Sequence, residues 1–210
     1  MDSATSVTHN LPPQALTSHF GNLPELPRKG PPAYIIPGNQ YNIKMGYSSV
    51  KKNLSFFNFD NPPIEPEVVG QALVDYLKSI GGVSLSAYQL GFEFQAMVIR
   101  DHDNKFMVCF NPTIVWSSPE TAEAEEGSQS FPGVNIKIKR PFKIRVRYRD
   151  INGVVQTKSL EGAPARFFQH EYDRVQGDIF WMVADSFHRN RAISQWKSAE
   201  RKLKKLVNRY

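Results

Sequence analysis

The sequence predicts an α+β fold, in which antiparallel hairpins are followed by helices. Two pairs of strand-like segments lie next to each other in the chain, and Asn152-Gly153, a strong tight-turn signal, joins the second pair. Two helical stretches follow, at about 165–177 and from Ile193 to Tyr210. Strands that precede helices and are joined by short local connections are typical of an α+β domain.

The size and composition of the chain indicate one domain with extensions. At 210 residues there is room for one well-buried core. We expect a proline-rich extended arm at 1–62, a core at 63–187 and a basic amphipathic helix at 188–210. No apolar run approaches the roughly 18 residues that span a bilayer, and the N-terminus lacks the pattern of a secretory signal. We therefore expect a cytoplasmic or virion protein that has no membrane partner and is not secreted through a signal peptide.

The N-terminal arm is defined by its prolines. Ten of the 15 prolines fall within the first 66 residues, and Pro-Pro pairs interrupt both helix and strand pairing. The apolar residues between them either pack on the chain's own core or lie across a partner protein. We favour a partner, because proline stiffening lowers the cost of ordering the arm. The arm residues expected to bind this partner are Pro12, Pro13, Phe20, Pro31, Pro32 and Tyr34.

The core elements follow from periodicity. Apolar residues recur at helical spacing after Pro66, and Gly81-Gly82 ends this first helix. Asn111-Pro112 is expected to break the strand in which it lies. The predicted strands are 96–99, 106–110, 114–116, 143–148 and 154–160.

The C-terminal segment carries the basic charge of the chain. From Arg189 to Tyr210 there are eight Lys and Arg residues against Glu200 alone, while the whole chain has a net charge of +6. Such a helix binds nucleic acid or acidic protein, or is only a solvated surface. We expect contact with protein subunits, and with nucleic acid or a ribosome as a further partner, through Trp196, Lys202 and Lys205.

Three short motifs contain the residues that could carry chemistry. They are Gly-Val-Ser-Leu-Ser-Ala-Tyr-Gln at 82–89, Glu-Gly-Ser-Gln-Ser at 126–130 and His-Glu-Tyr-Asp-Arg at 170–174. On a helix, His170 and position 174 share one face, and a zinc hydrolase has a second histidine there with a glutamate as general base. Arg174 stands in that second place and has no lone pair to give to a metal ion.

In this order the motifs resemble those of the peptide deformylases, which are Gly-x-Gly-x-Ala-Ala-x-Gln, Glu-Gly-Cys-Leu-Ser and His-Glu-x-x-His. The resemblance covers about 63–183 and implies a peptide-deformylase-like fold, with antiparallel hairpins around a central helix of the His-Glu-x-x-His type. It also implies removal of the formyl group from an N-terminal methionine. In the family one cysteine and two histidines hold Fe(II) or zinc. The glutamate at the position of Glu171 transfers the proton, and the glutamine at the position of Gln89 stabilises the oxyanion.

The departures from the family fall on the chemistry. Ser128 stands at the cysteine position and Arg174 at the second histidine position, so His170 alone remains of the three ligands. A serine hydroxyl is a poor ligand and a guanidinium repels a cation. We therefore expect no metal and no other cofactor, with Fe(II) or Zn as the alternative.

The remaining motif residues are expected to have structural roles. We expect Arg174 to point into the vacated metal position and to bond to Glu171 or to the backbone around Ser128. Glu126 and Arg140 are expected to be structural as well. Serines at positions 84 and 86 narrow the pocket, and Gln129 replaces the family's leucine.

The sequence therefore predicts a pseudoenzyme, that is, a non-catalytic structural subunit of a larger assembly such as a phage tail or baseplate. Two alternatives are a ribosome-associated protein and an active peptide deformylase with an atypical site. A third is a hydrolase in which Ser128 and His170 form a nucleophilic pair and Glu171 orients the imidazole.

Overall fold

A five-stranded antiparallel sheet lies at the centre of the molecule. The computed structural model describes residues 43–207. The sheet has the strand order β1-β2-β3-β6-β7, and β4 and β5 form a separate two-stranded sheet. The strands are β1 Ser84–Ser86, β2 Ala96–Arg100, β3 Phe106–Ser117, β4 Thr121–Ser128, β5 Phe131–Pro141, β6 Lys143–Arg149 and β7 Val155–Glu161. The helices are α1 Pro66–Ser79, α2 Gly162–Val175 and α3 Ser186–Val207.

Both faces of the sheet are covered around β2, because successive side chains of a strand point to opposite faces. Ala96 and Val98 pack into the cluster formed with α1, whereas Met97 and Ile99 pack into the cluster formed with α2. The α+β prediction is confirmed, with α2 as the central helix on one side of the sheet.

The segment that leads into α1 belongs to the core. Ile43, Leu54 and Phe57 are buried, and the Asn111 side chain accepts a hydrogen bond from the Phe57 N–H and donates one to its carbonyl, at 2.7 and 2.9 Å. The stretch 43–62, which we assigned to the arm, thus contributes buried residues to the core. The six predicted partner-binding positions of the arm, from Pro12 to Tyr34, lie outside the described residues.

Two strands differ from the prediction. β3 continues through Pro112 because Asn111 adopts a φ of +50° and the pairing with β6 shifts register there, so that no ladder hydrogen bond is needed from the proline. The β4–β5 hairpin was not predicted, since Glu123, Glu125 and Glu126 gave β4 no apolar alternation. Pairing along almost the whole length of β5 holds it in place.

The β4–β5 sheet packs against α3. Phe131 of β5 contacts the rings of Trp181 and Trp196, with centroids 4.6 and 5.1 Å apart. Gly46, in a 3-10 turn at Gly46–Ser49, lies against the Trp196 ring with a φ of +58°. No helix within 43–207 has the length and apolar character required to cross a membrane.

Candidate active site

A cleft of about 510 Å³ lies between α2, the β1 region and the β4–β5 hairpin. His170 and Glu171 of α2 line it on one side, and Gln89 and Ser128 line it on the others. The three sequence motifs therefore meet at one place, although they are far apart in the chain.

Helical spacing directs three side chains of α2 toward this place. His170, Glu171 and Arg174 are only 7, 3 and 2% exposed. The His170 ring stacks on Phe180, with centroids 4.9 Å apart and planes inclined by 26°. The end of α2 is thus packed, and its polar side chains must find partners inside the protein.

Glu126 is the centre of a buried charge network. One carboxylate oxygen accepts hydrogen bonds from Arg140 Nε and Arg166 Nη1, at 2.6 and 2.7 Å. The other accepts a bond from Arg140 Nη2 at 2.9 Å and lies 3.0 Å from His170 Nδ1. Burial alone would raise the pKa of Glu126, but the hydrogen bonds from His170 and Arg140 outweigh it and lower the pKa to about 2.

Two members of this network, Asp173 and Arg166, were not predicted from the sequence. Arg140 Nη1 donates to Asp173 at 2.9 Å, and burial raises the pKa of Asp173 despite this bond. Arg166 also donates to the carbonyls of Ile138 and Ala122, at 2.9 and 2.6 Å. Arg166 lies one turn before His170 on α2, and this spacing is the signal that could have identified it.

Arg174 points into the protein and occupies the position that the motif gives to the second histidine. Its Nη2 donates to Ser128 Oγ at 2.8 Å, and its Nη1 donates to Ser49 Oγ at 2.8 Å. Its Nε lies 3.5 Å from Glu171 Oε2, a distance at which the two charges attract without a hydrogen bond. Burial lowers the pKa of Arg174, while Glu171 acts in the opposite direction; a guanidinium nevertheless stays charged in a protein.

Glu171 and Gln89 are each fixed by a serine. Ser84 Oγ donates to Glu171 Oε1 at 2.8 Å, and Gln89 Nε2 donates to Ser130 Oγ at 2.9 Å. Glu171 Oε2 is buried and has no hydrogen-bond partner within the described residues. This oxygen faces Nε of Arg174, which lies 3.5 Å away.

The side chains present do not fit a divalent ion. The two family ligand positions besides His170 are a hydroxyl and a guanidinium that are hydrogen-bonded to each other. Across residues 43–207 there is no group of three or more His, Cys, Asp or Glu side chains that could hold a metal ion. A cation placed beside Arg174 would be repelled by the guanidinium.

The predicted serine-histidine pair is not formed. Ser128 Oγ accepts bonds from Arg174 and from the Ser130 N–H, the latter at 3.3 Å. His170 Nδ1 is directed to Glu126, so Glu126, and not Glu171, orients the imidazole. The ring nitrogen left for a ligand in the cleft is Nε2.

The predicted partner-binding residues of the C-terminal helix differ in exposure. Lys202 and Lys205 are exposed on α3, and their contact with protein, nucleic acid or a ribosome stays a prediction. Trp196 is 3% exposed within the core cluster formed with Phe131, because the apolar face of α3 covers the β4–β5 sheet. Its indole is thus occupied by the chain itself.

Known proteins resemble this chain in sequence and in structure. A family model described as polypeptide deformylase matches residues 52–190. A peptide deformylase of Thermotoga neapolitana is 38% identical over 107 residues, which are 51% of this chain and 65% of that protein, just under two thirds. A peptide deformylase-like protein of Agrobacterium fabrum is 34% identical over 128 residues, or 60% of this chain and 77% of that protein. The crystal structure of a plant peptide deformylase superposes with a TM-score of 0.67 and 26% identity, covering 83% of this chain and 96% of that one.

These matches correct the functional prediction. Bacterial and plant proteins named as deformylases resemble the chain over most of its core, so the prediction of a pseudoenzyme serving as a structural subunit of a virion or baseplate is wrong. The prediction of no cofactor is also wrong at the level of the family, which is metal-dependent. Both predictions rest on the altered ligand positions Ser128 and Arg174, whereas the family model matches the chain over residues 52–190.

Proposed function

Since the chain belongs to the peptide deformylase family, we propose that it is a peptide deformylase with an atypical site, a hydrolase that removes the formyl group from an N-terminal methionine. One observation carries the proposal. Glu171 and Gln89, at the positions that the resemblance assigns to the proton and the oxyanion, line the same cleft.

The cleft suits the end of a peptide. It is open to solvent between α2 and the β4–β5 hairpin, and Phe167 and Val134 add apolar surface to the polar groups. A concave pocket that combines apolar surface with convergent polar groups is the usual form of a site for a small ligand.

Glu171 is the residue that takes up a proton. Glu171 lines the cleft and Ser84 Oγ orients its carboxylate, which accepts a proton from a water molecule that attacks the formyl carbon. The carboxylic acid then returns the proton to the amine that leaves. The peptide product therefore has a free N-terminus, and formate is released.

The Gln89 amide lines the cleft and would stabilise the negative charge that develops on the formyl oxygen, while the buried Arg174 guanidinium adds a positive charge beside Glu171. A divalent ion would supply Lewis-acid chemistry in other members of the family. The side chains of this chain at the ligand positions do not fit a divalent ion.

Formate release from a formyl-methionyl peptide tests the proposal. The wild-type chain and the Glu171→Gln variant are assayed with and without added Fe(II), and bound metal is measured by mass spectrometry. We expect the wild type to release formate and Glu171→Gln to be about 100-fold slower or more, the usual effect of losing a general base.

Glu67→Gln is the matched control, because Glu67 is an exposed carboxylate on α1. It should leave the rate unchanged. A folded wild-type chain that releases no formate under either condition would contradict the proposal.

A further inference from the structure

One face of β6 carries a row of cations. Lys143, Arg145, Arg147 and Arg149 are exposed, whereas Ile144, Val146 and Tyr148 between them are buried against α2. Alternate side chains of a strand lie about 6.7 Å apart, so the row is about 20 Å long.

Helix α1 leaves this part of the sheet uncovered. It packs on β1, β2 and β3, on the same side of the sheet to which the cations of β6 point. The neighbours across the strand pairs are uncharged near the middle of the row, since Arg145 pairs with Ser159 and Arg147 with Thr157. The uncovered surface of β6, β7 and the C-terminal end of β3 is therefore a basic platform.

The central charges of the platform are not neutralised. Lys143 forms an ion pair with Glu161 at 2.9 Å, and Arg149 donates to the Gly153 carbonyl at 2.8 Å. Arg145 and Arg147 have no ion-pair partner among residues 43–207. Two permanent cations thus face solvent side by side.

An exposed aromatic ring lies beside the cations. Trp116 of β3 is 48% exposed and pairs with Arg145 across the strands. Trp116, Arg145 and His102 border a shallow pocket of about 350 Å³. The other two tryptophans, Trp181 and Trp196, are 1 and 3% exposed.

We propose that this platform, formed by Trp116, Lys143, Arg145, Arg147 and Arg149, binds single-stranded nucleic acid. A cationic row attracts a phosphate backbone, and an adjacent aromatic face stacks on an unpaired base. A duplex keeps its base faces covered, so the exposed indole favours a single strand. The proposal is independent of the reaction in the cleft, because α2 lines the cleft and packs on the face of β6 opposite to the cations.

Fluorescence anisotropy of a labelled 12-nucleotide oligo(U) RNA with the full chain tests the proposal. We expect a dissociation constant of about 1–100 µM at low salt. In Arg145→Gln/Arg147→Gln the affinity should fall at least tenfold, and the slope of log K against log salt should decrease by about 1.4, as for the loss of two phosphate contacts. Trp116→Ala should weaken binding about fivefold or more through lost stacking.

A control variant removes the same charge elsewhere. Lys137→Gln/Lys139→Gln alters exposed lysines with the same alternation on β5. It should retain at least half of the wild-type affinity. A loss in this control as large as that in the β6 variant would overturn the assignment to the platform.

The tryptophans supply a second readout. Because only the Trp116 indole is exposed among the three, saturating oligo(U) should quench emission in the wild type and not in Trp116→Ala. Competition by polyglutamate as strong as that by oligo(U) would indicate an acidic protein surface as the partner and would overturn the proposal. An absence of quenching in the wild type would also overturn it, because no base would then stack on Trp116.

Discussion

At the scale of single residues, Arg174 sets the character of the candidate site. Its guanidinium joins Ser128 on the hairpin to Ser49 in the N-terminal segment. It therefore places a fixed positive charge where the family places a metal ion. Arg174 and its partner Ser49 are both buried.

Restoring the family's ligand residues should give the chain a metal site. In Ser128→Cys/Arg174→His a thiolate and two imidazoles meet, which is a ligand set for zinc or Fe(II). We expect metal bound after dialysis, measured by mass spectrometry, to approach one ion per chain and to exceed that of the wild type clearly.

The single variant Ser128→Cys is the control, since it retains the Arg174 cation and should bind less metal than the double variant. Equal metal content in the wild type and the double variant would contradict the assignment of these positions.

Most of the site residues could be predicted from the sequence. The three motifs name Gln89, Glu126, Ser128, His170 and Glu171, and the fold brings all of them to one cleft. Ser49 could not be predicted, because nothing in its neighbourhood resembles a motif. It reaches Arg174 only because the segment before α1 folds back under α3.

At the scale of elements, alternation was a reliable signal only where one face of a strand is apolar. β6 alternates strictly and was predicted, whereas β4 exposes most of its side chains and was not. The sequence predicts a break of the strand at Asn111-Pro112, yet the bulge at Asn111 lets β3 continue. Local signals thus failed where pairing with another strand supplied the stability.

The turn at Gly46–Ser49 has little space for a side chain at Gly46. A Cβ on Gly46 would lie 2.5 Å from Trp196 Cζ2, and its φ of +58° is unfavourable for other residues. We expect Gly46→Ala to lower the free energy of unfolding by about 2–4 kcal/mol, the sum of backbone strain and overpacking, as measured by urea denaturation.

Gly81→Ala is the matched control. Gly81 has a φ of +60°, but no atom lies within 4 Å of an added Cβ, so only the backbone cost of about 1–2 kcal/mol applies. Equal losses in the two variants would show that Trp196 does not press on the turn.

At the scale of the whole molecule, the Glu126 network joins the two sheets. Glu126 and Arg140 lie on the two-stranded sheet, whereas Arg166, His170 and Asp173 lie on α2, which packs on the five-stranded sheet. A buried pair that loses one partner leaves an uncompensated charge, so the network is sensitive to protonation.

Acid should weaken the molecule through Glu126. Its folded pKa of about 2 lies below the usual value of 4.5, so its contribution is complete above pH 4.5 and is lost as the pH falls toward 2. We expect a loss on the order of 3 kcal/mol in this window for the wild type, measured by urea unfolding at each pH.

Glu126→Gln should show a smaller decrease over the same window, although it is less stable at neutral pH. Subtracting the free energy of unfolding of Glu126→Gln from that of the wild type at each pH removes the contribution of the other carboxylates, including Asp173. Glu123→Gln, at an exposed position of the same strand, should retain the wild-type pH profile; a flattened profile in that variant would count against Glu126 as the origin.

The turn at Gly46–Ser49 has a consequence for the order in which the protein forms. Ser49 accepts a hydrogen bond from Arg174, and the turn that contains Ser49 packs against Trp196. A translating ribosome adds Trp196 about 150 residues after this turn. A nascent chain can therefore pair its strands before Trp196 is added, whereas the contact that supports the turn forms only after α3 has been synthesised.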